Sequence, residues 1–157
     1  MNNLKELCSF LVLAKKSTYA AGDNAKKIKE MDKSTTMIFD SGDWKYHDNY
    51  FGGEPYGGRE VVFFQNQPVY MMVYYGWVDE SVTDFPSVYQ VLQGALSNIP
   101  ADKPFRGPAH FEQNGLEYIN IFEGEVDKFS GEEKIVDATG KELYKAKYIG
   151  GLVDLRK

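Results

Sequence analysis

The stretch YFGGEPYGGREVVFFQNQPVYMMVYYG, Tyr50 to Gly76, decides the fold, because its landmarks return in FEGEVDKFSGEEKIVDATGKELYKAKYIG, Phe122 to Gly150. Tyr50, Gly52, Tyr56, Gly58, Glu60, Val62, Tyr70, Tyr74 and Gly76 are matched in order by Phe122, Gly124, Phe129, Gly131, Glu133, Ile135, Tyr144, Tyr148 and Gly150. The offset is 72 residues at the start, 73 in the middle and 74 at the end, each slip falling where a turn or bulge can absorb one residue. Ser41-Gly42 precedes the first stretch as Asn114-Gly115 precedes the second. Self-similarity of this kind constrains architecture before any propensity is consulted. The competing explanation is compositional: antiparallel strands rich in Tyr and Gly resemble one another without common origin.

Working outward, the first stretch divides into strands at its punctuation. Thr36 to Phe39, Trp44 to Phe51, Tyr56 to Gln65 and Val69 to Trp77 read as four antiparallel strands, separated by Ser41-Gly42-Asp43, Gly52-Gly53-Glu54-Pro55 and Asn66-Gln67-Pro68. Upstream, Leu4, Leu7, Phe10/Leu11 and Ala14 recur at helical spacing from Asn3 to about Thr18, with Asn3 and Glu6 placed as a capping box. Asp23 to Ser34 is polar and reads as a loop or short surface helix. Downstream, Asp84 caps a helix opened by Phe85-Pro86, with Val88, Val91, Leu92 and Ala95 on one face. Gly94 inside that helix costs about 1 kcal/mol against alanine. After a connector from Asp102 to Pro108 come His110 to Gln113, Leu116 to Phe122, Val126 to Val136 with a bulge near Lys128, and Glu142 to Ile149. Gly124 and Thr139-Gly140-Lys141 occupy the turns. Each half, about 1–80 and 81–155, is a helix followed by four strands. The fold class is therefore α+β: one domain over 1–157, with an extended or curved antiparallel sheet, two main helices on one face, and a pseudo-duplicated helix-plus-four-strand unit.

Composition narrows the function. With 157 residues, 43% hydrophobic and 15% aromatic, the chain can bury a sizeable core and is not disordered. A net charge of −5 argues against a dedicated nucleic-acid binder, which needs a basic footprint. Lys26, Lys27, Lys29 and Lys33 are diluted by Asp23, Glu30 and Asp32 and read as a solvated face. Cys8 stands alone, so no internal disulfide is expected; its place among Leu4, Leu7 and Leu11 makes it a small core residue. One Cys and two His do not make a usual zinc site, and no cofactor motif is present. No signal peptide or membrane span is recognisable, so a cytoplasmic location is the expectation.

Residues two apart on a strand share a face. Tyr56, Gly58 and Glu60 therefore point one way, as do Phe129, Gly131 and Glu133, and each glycine leaves room for a neighbouring ring. In the last strand Tyr144, Ala146 and Tyr148 oppose Lys145 and Lys147, so the tyrosines look inward. The same orientation sends Tyr70, Met72 and Tyr74 inward and leaves Val69, Met71, Val73, Tyr75 and Trp77 on an apolar outer row. Leaving it in water is costly, at roughly 1.5–3 kcal/mol per large side chain. The connector, a second subunit or a ligand is expected to cover it.

The runs Tyr46 to Val61, Val69 to Gly76, Arg106-Gly107-Pro108, Phe129 to Glu133 and Tyr148 to Gly151 together resemble a small bacterial domain of unknown function. That family occurs alone or behind an XRE-type helix-turn-helix in transcriptional regulators. The resemblance implies an accessory or sensing module and carries over no catalytic residue. This chain lacks the helix pair that reads DNA in the fused members.

Among chemically capable residues, Glu60 and Glu133 are the best carboxylate pair; if their strands adjoin they can divide acid and base roles. Otherwise each is a structural acceptor for a tyrosine or backbone amide. His47 beside Asp48 fails as a dyad, because adjacent strand residues face opposite ways. His110 has no counterpart in the first half, Ser41, Ser81 and Ser130 lie in turn-like contexts without a nucleophile elbow, and the glycine pairs lack the helix and lysine of a phosphate loop. Arg106 can hold an anionic ligand or pair with an acid. Three functions follow as expectations. The first is a non-catalytic small-molecule binding or sensing module using Trp44, Tyr50, Glu60, Tyr74, Arg106 and Glu133. The second is a homodimerising or partner-binding module using the row Val69 to Trp77. The third is a small enzyme using the two glutamates.

Overall fold

In the computed structural model, which describes residues 4–156, the apolar spacing at the N-terminus does build a helix, α1 (Leu4–Ser17). It buries Leu7, Phe10, Leu11, Ala14 and, less expectedly, Lys15. The expected cap Asn3 lies outside the described residues. The second helix, α2 (Phe85–Leu96), begins as expected: the Asp84 carboxylate accepts from the Ser87 amide and Pro86 occupies the first turn. Gly94 has a packing reason to interrupt it. A Cβ there would lie 2.2 Å from Gln113 Oε1 and 3.0 Å from the Phe111 ring, so β6 (His110–Gln113) reaches the helix only over glycine.

The remaining strands are β1 (Ile28–Lys29), β2 (Thr35–Ser41), β3 (Trp44–Gly52), β4 (Tyr56–Phe64), β5 (Gln67–Val78), β7 (Leu116–Glu125), β8 (Lys128–Val136) and β9 (Glu142–Leu152). They form one nine-stranded sheet in the order β1-β2-β3-β4-β5-β9-β8-β7-β6. Each neighbouring pair is antiparallel. Two four-strand meanders, β2 to β5 and β6 to β9, thus meet along a β5–β9 seam. Its register is centred on Tyr74 opposite Tyr148, with Met72 opposite Gly150 on one side and Gly76 opposite Ala146 on the other. Both helices pack on one face, where their apolar residues join Tyr46, Tyr70, Tyr74, Tyr118, Tyr144 and Tyr148 in a single cluster.

Three local expectations are corrected. The segment after α1 is neither loop nor helix throughout. A 3-10 turn spans Tyr19–Asn24, and β1 adds an edge strand because Asp32 bonds the Ser34 amide and hydroxyl and turns the chain back onto β2. Gly124 lies inside β7 opposite Phe129, and the turn is formed by Val126 and Asp127. At Gly124, φ is +90° and a Cβ would meet Lys128 O at 2.1 Å, so the glycine serves the strand end. The register of β8 with β9 shifts between Ile135 and Val136, not near Lys128.

The face assignments agree with the alternation. Tyr144, Ala146 and Tyr148 are buried, while Lys145 and Lys147 reach outward to Glu132. On β5, Tyr70, Met72 and Tyr74 are buried, whereas Val73, Tyr75 and Trp77 are 46%, 53% and 36% exposed. The connector does not cover this row. Its Phe105 stacks on Phe129 on the inner side, at 3.9 Å between ring centroids, and Arg106 is buried. Gly131 shows the expected accommodation of a ring, since a Cβ there would lie 2.3 Å from the Tyr148 phenol.

Candidate ligand-binding site

Strand alternation on β3 sends Trp44, Tyr46, Asp48 and Tyr50 inward, and register places Asp48 directly opposite Glu60 on β4. Both carboxyls are buried, at 3% and 4% exposure. Helix α1 lowers Lys15 onto them: its Nζ lies 2.9 Å from Glu60 Oε2, without hydrogen-bond alignment, and donates to the Phe105 carbonyl. The Tyr74 hydroxyl donates to Asp48 Oδ1 at 2.5 Å. One cation and two phenols, Tyr46 at Glu60 and Tyr74 at Asp48, therefore serve two buried carboxyls.

A second cluster lies across the seam. Arg106 donates from Nε and Nη2 to Glu133 Oε1, at 3.0 and 2.5 Å, and from Nη2 to the Tyr56 hydroxyl at 3.3 Å. Tyr144 donates to the same Glu133 oxygen at 2.9 Å, and Tyr118 donates to the other. Asn120, opposite Glu133 on β7, donates to the Gly107 carbonyl at 2.9 Å and accepts from Tyr148 at 2.7 Å. Its polar groups are engaged, and Glu133 is completely buried.

Above the first cluster lies a cavity of about 360 Å³, within the range of small-molecule sites. Lys15, Asp48, Glu60 and Arg106 form its polar lining. Aromatic side chains Tyr19, Tyr46, Tyr50, Tyr56, Tyr74 and Tyr89 enclose it, and Lys27 and Lys29 also border it. The Gly52-Gly53 segment borders it too. Glu54 fixes that segment by accepting from the Val78 amide at 2.7 Å and from the Tyr89 hydroxyl of α2. Arg106 also lies over the Tyr74 ring, 5.5 Å from its centroid, so it touches both clusters.

The electrostatics follow from burial. Loss of water, then the neighbouring Glu60 charge, pushes the Asp48 carboxyl up to about 7 against the pull of Tyr74, Arg106 and Lys15. Burial lowers Lys15 below the usual lysine range, opposed by Glu60. Burial disfavours the charge on Arg106, but Glu133 and the surrounding tyrosines outweigh it and hold the guanidinium ionised. Burial raises the phenols of Tyr46 and Tyr74, which stay neutral donors. The arrangement can hold an exchangeable proton at neutral pH beside an aromatic cavity. Among the described residues no three His, Cys, Asp or Glu side chains gather to hold a metal ion.

Of the sequence candidates, Tyr50, Glu60, Tyr74 and Arg106 line the cavity. Trp44 lies elsewhere, packed between Phe10 and Phe64 with centroids 5.4 and 4.7 Å away. Glu133 sits behind Arg106 as a structural acceptor. Strands β4 and β8 do not adjoin: β5 and β9 separate them, which sets their backbones about 14 Å apart at normal strand spacing. The juxtaposed acids are Asp48 and Glu60 instead. His47 faces the opposite side, against Phe63, as alternation requires. Val73, Tyr75 and Trp77 are exposed away from this cavity, whereas Val69, expected in the same row, packs against the inner core, because the β4–β5 register shifts beside it, where Phe63 pairs with Pro68 and Val62 with Tyr70. Sequence reading missed Asp48 and Lys15, although both carried a signal. Asp48 shares the inward face of Tyr46 and Tyr50, and Lys15 continues the stripe of Leu7 and Leu11 at four-residue steps.

Residues 48–153 match the family described as "Domain of unknown function (DUF5680)", and the chain belongs to that family. The match begins at Asp48, so α1 with Lys15 lies upstream of it. No curated protein and no solved structure matches the chain. No helix among the described residues is long and apolar enough to cross a membrane.

Proposed function

We propose that this member of the family is a small-molecule binding module that works without catalysis. The observation that carries the reading is the aromatic cavity of about 360 Å³ closed at its base by buried charged groups. A core built only for stability gains little from burying ionisable side chains, because their desolvation offsets the attraction between them. Polar groups converging in an apolar cavity are what orients a ligand. The resemblance to bacterial domains that stand alone or follow an XRE-type helix-turn-helix supports a sensing role, and a cytoplasmic location goes with it. The test is a thermal-shift screen of the whole chain against small metabolites, repeated on Ala20→Trp, which fills the cavity at its α1 end. Compounds that raise the melting temperature of the native chain should lose their effect on the variant. A screen in which hits act equally on both chains would place binding elsewhere.

A second reading rests on the outer face. Val73, Tyr75 and Trp77 are joined there by Ile121 and Ile149, 68% and 63% exposed, beside Lys147 and Glu132. An apolar patch bordered by both signs of charge suits a second copy of the same chain. Sedimentation of native chain and Tyr75→Lys tests this; a native monomer at all concentrations removes the reading.

A further inference from the structure

The five buried charged residues among those described are Lys15, Asp48, Glu60, Arg106 and Glu133, three acids against two bases. Arg106 is committed to Glu133, and Lys15 to Glu60 and the Phe105 carbonyl. The remaining charge belongs to Asp48, whose only hydrogen-bond donor among the described residues is the neutral Tyr74 phenol. A buried carboxylate without a cation of its own is costly, so burial beside Glu60 favours a neutral, protonated Asp48. The second cluster shows how the fold settles the same position where the cavity does not reach it, since neither Asn120 nor Glu133 lines the cavity. There Asn120 faces Glu133 as Asp48 faces Glu60, and Tyr148 donates to Asn120 as Tyr74 donates to Asp48. An amide suffices at the closed site. The acid stands only where the fold leaves a cavity.

From this we infer that the ligand of the cavity carries a protonated amine, bound against Asp48 and Glu60 with its body among Tyr19, Tyr50 and Tyr89. The inference rests on the small-molecule reading above. A cation supplies the missing positive charge. Tyrosine faces add attraction for it as its water is removed. An anionic head group would find the inner cations already engaged. Lys27 and Lys29 are exposed at the border, where water and salt screen them.

The groups facing Asp48 are Tyr46 and Tyr50 on its own strand, Glu60 on β4, Tyr74 on β5, Lys15 on α1 and Arg106 on the connector. Of these, burial and Glu60 hold the Asp48 proton near neutrality. Binding a cation displaces that proton to solvent. Affinity should rise about tenfold per pH unit below about pH 7 and level off above it, while the ligand amine stays protonated.

The experiment is titration calorimetry of the whole chain with matched sets of arylalkylamine, alcohol and carboxylate, from benzylamine to tryptamine with their isosteres. Measurements at pH 6 and pH 8, in buffers of different ionisation enthalpy, count the protons. The expected result is an amine preference of at least tenfold, with close to one proton released at pH 6. Asp48→Asn, nearly isosteric with the protonated acid, should abolish both the preference and the proton release. Equal or tighter binding of the alcohol or carboxylate, or an amine preference that survives Asp48→Asn, overturns the amine assignment and leaves the cavity reading standing. Failure of every member of every set to bind removes both.

Discussion

Two buried carboxylate clusters sit on the same face of one sheet, and they differ at the residue that faces the glutamate. At the β7–β8 pair, Asn120 faces Glu133, and every polar group finds a protein partner. At the β3–β4 pair, Asp48 faces Glu60 with one lysine between two acids. Their cations differ as well. Arg106 grips Glu133 through two nitrogens, whereas Lys15 offers a point charge shared with a backbone carbonyl. The Glu133 cluster is internally satisfied, and the Asp48–Glu60 cluster has one cation for two acids.

The comparison breaks most visibly at Arg106. Arg106→Leu leaves Glu133 buried without its cation and should destabilise the protein by about 5 kcal/mol, read from the urea midpoint. A loss below about 1 kcal/mol would mean that the cluster is not the scaffold described.

The next effect is a pH dependence. Asp48 has its pKa raised in the folded chain, from the ordinary 3.8 to about 7. Between those values the native state holds a proton that the unfolded chain has released. Stability from this group is therefore fully present below about pH 4, falls as pH rises through 7, and is constant beyond. The gap of about three pH units corresponds to about 4 kcal/mol. Denaturation of native chain and Asp48→Asn from pH 4 to pH 8 should show this decline only in the native chain. Parallel curves would remove the protonated Asp48.

Smaller effects sharpen the contrast between closed and open sites. Tyr148→Phe strips Asn120 of its donor inside a sealed cluster and should cost about 2 kcal/mol. Tyr74→Phe should cost less at pH 5, where the cavity lets water replace the phenol, and its chief effect should be a further rise in the Asp48 titration midpoint, followed by carboxyl NMR. The smallest effect belongs to the outer row. Tyr75→Ser, at a side chain more than half exposed, should change monomer stability by no more than about 0.5 kcal/mol in thermal unfolding.

Much of the scaffold was legible. Two-residue alternation assigned Tyr70, Met72, Tyr74, Tyr144, Ala146 and Tyr148 to the interior, and Lys145 and Lys147 to the exterior, because a pleated strand offers no other arrangement. The β1 edge strand was hidden. Two residues carry too little pattern, and their pairing depends on the Asp32–Ser34 turn. The site was legible in part. Tyr50, Glu60, Tyr74 and Arg106 border the cavity, but Trp44, on the same strand face, is taken up by Phe10 of α1. A strand pattern specifies a face and leaves open what lies above it. Asp48 was within reach: a step of 72 residues leads from it to Asn120, and an acid in the place of an amide is a chemical difference visible in the letters alone.

The amino-acid order by itself determined the two helices, the two strand meanders and the inward or outward sense of each long strand, because those follow from local periodicity and turn chemistry. Only the tertiary structure decided that β5 meets β9, which holds Glu60 and Glu133 apart. Only the tertiary structure brought Lys15 of α1 and Arg106 of the connector onto the same sheet face, leaving a cavity beside Asp48. The reason is physical. Periodicity acts between near neighbours in the chain, whereas the charge balance of a cavity is set by groups many residues apart that meet only after the core closes.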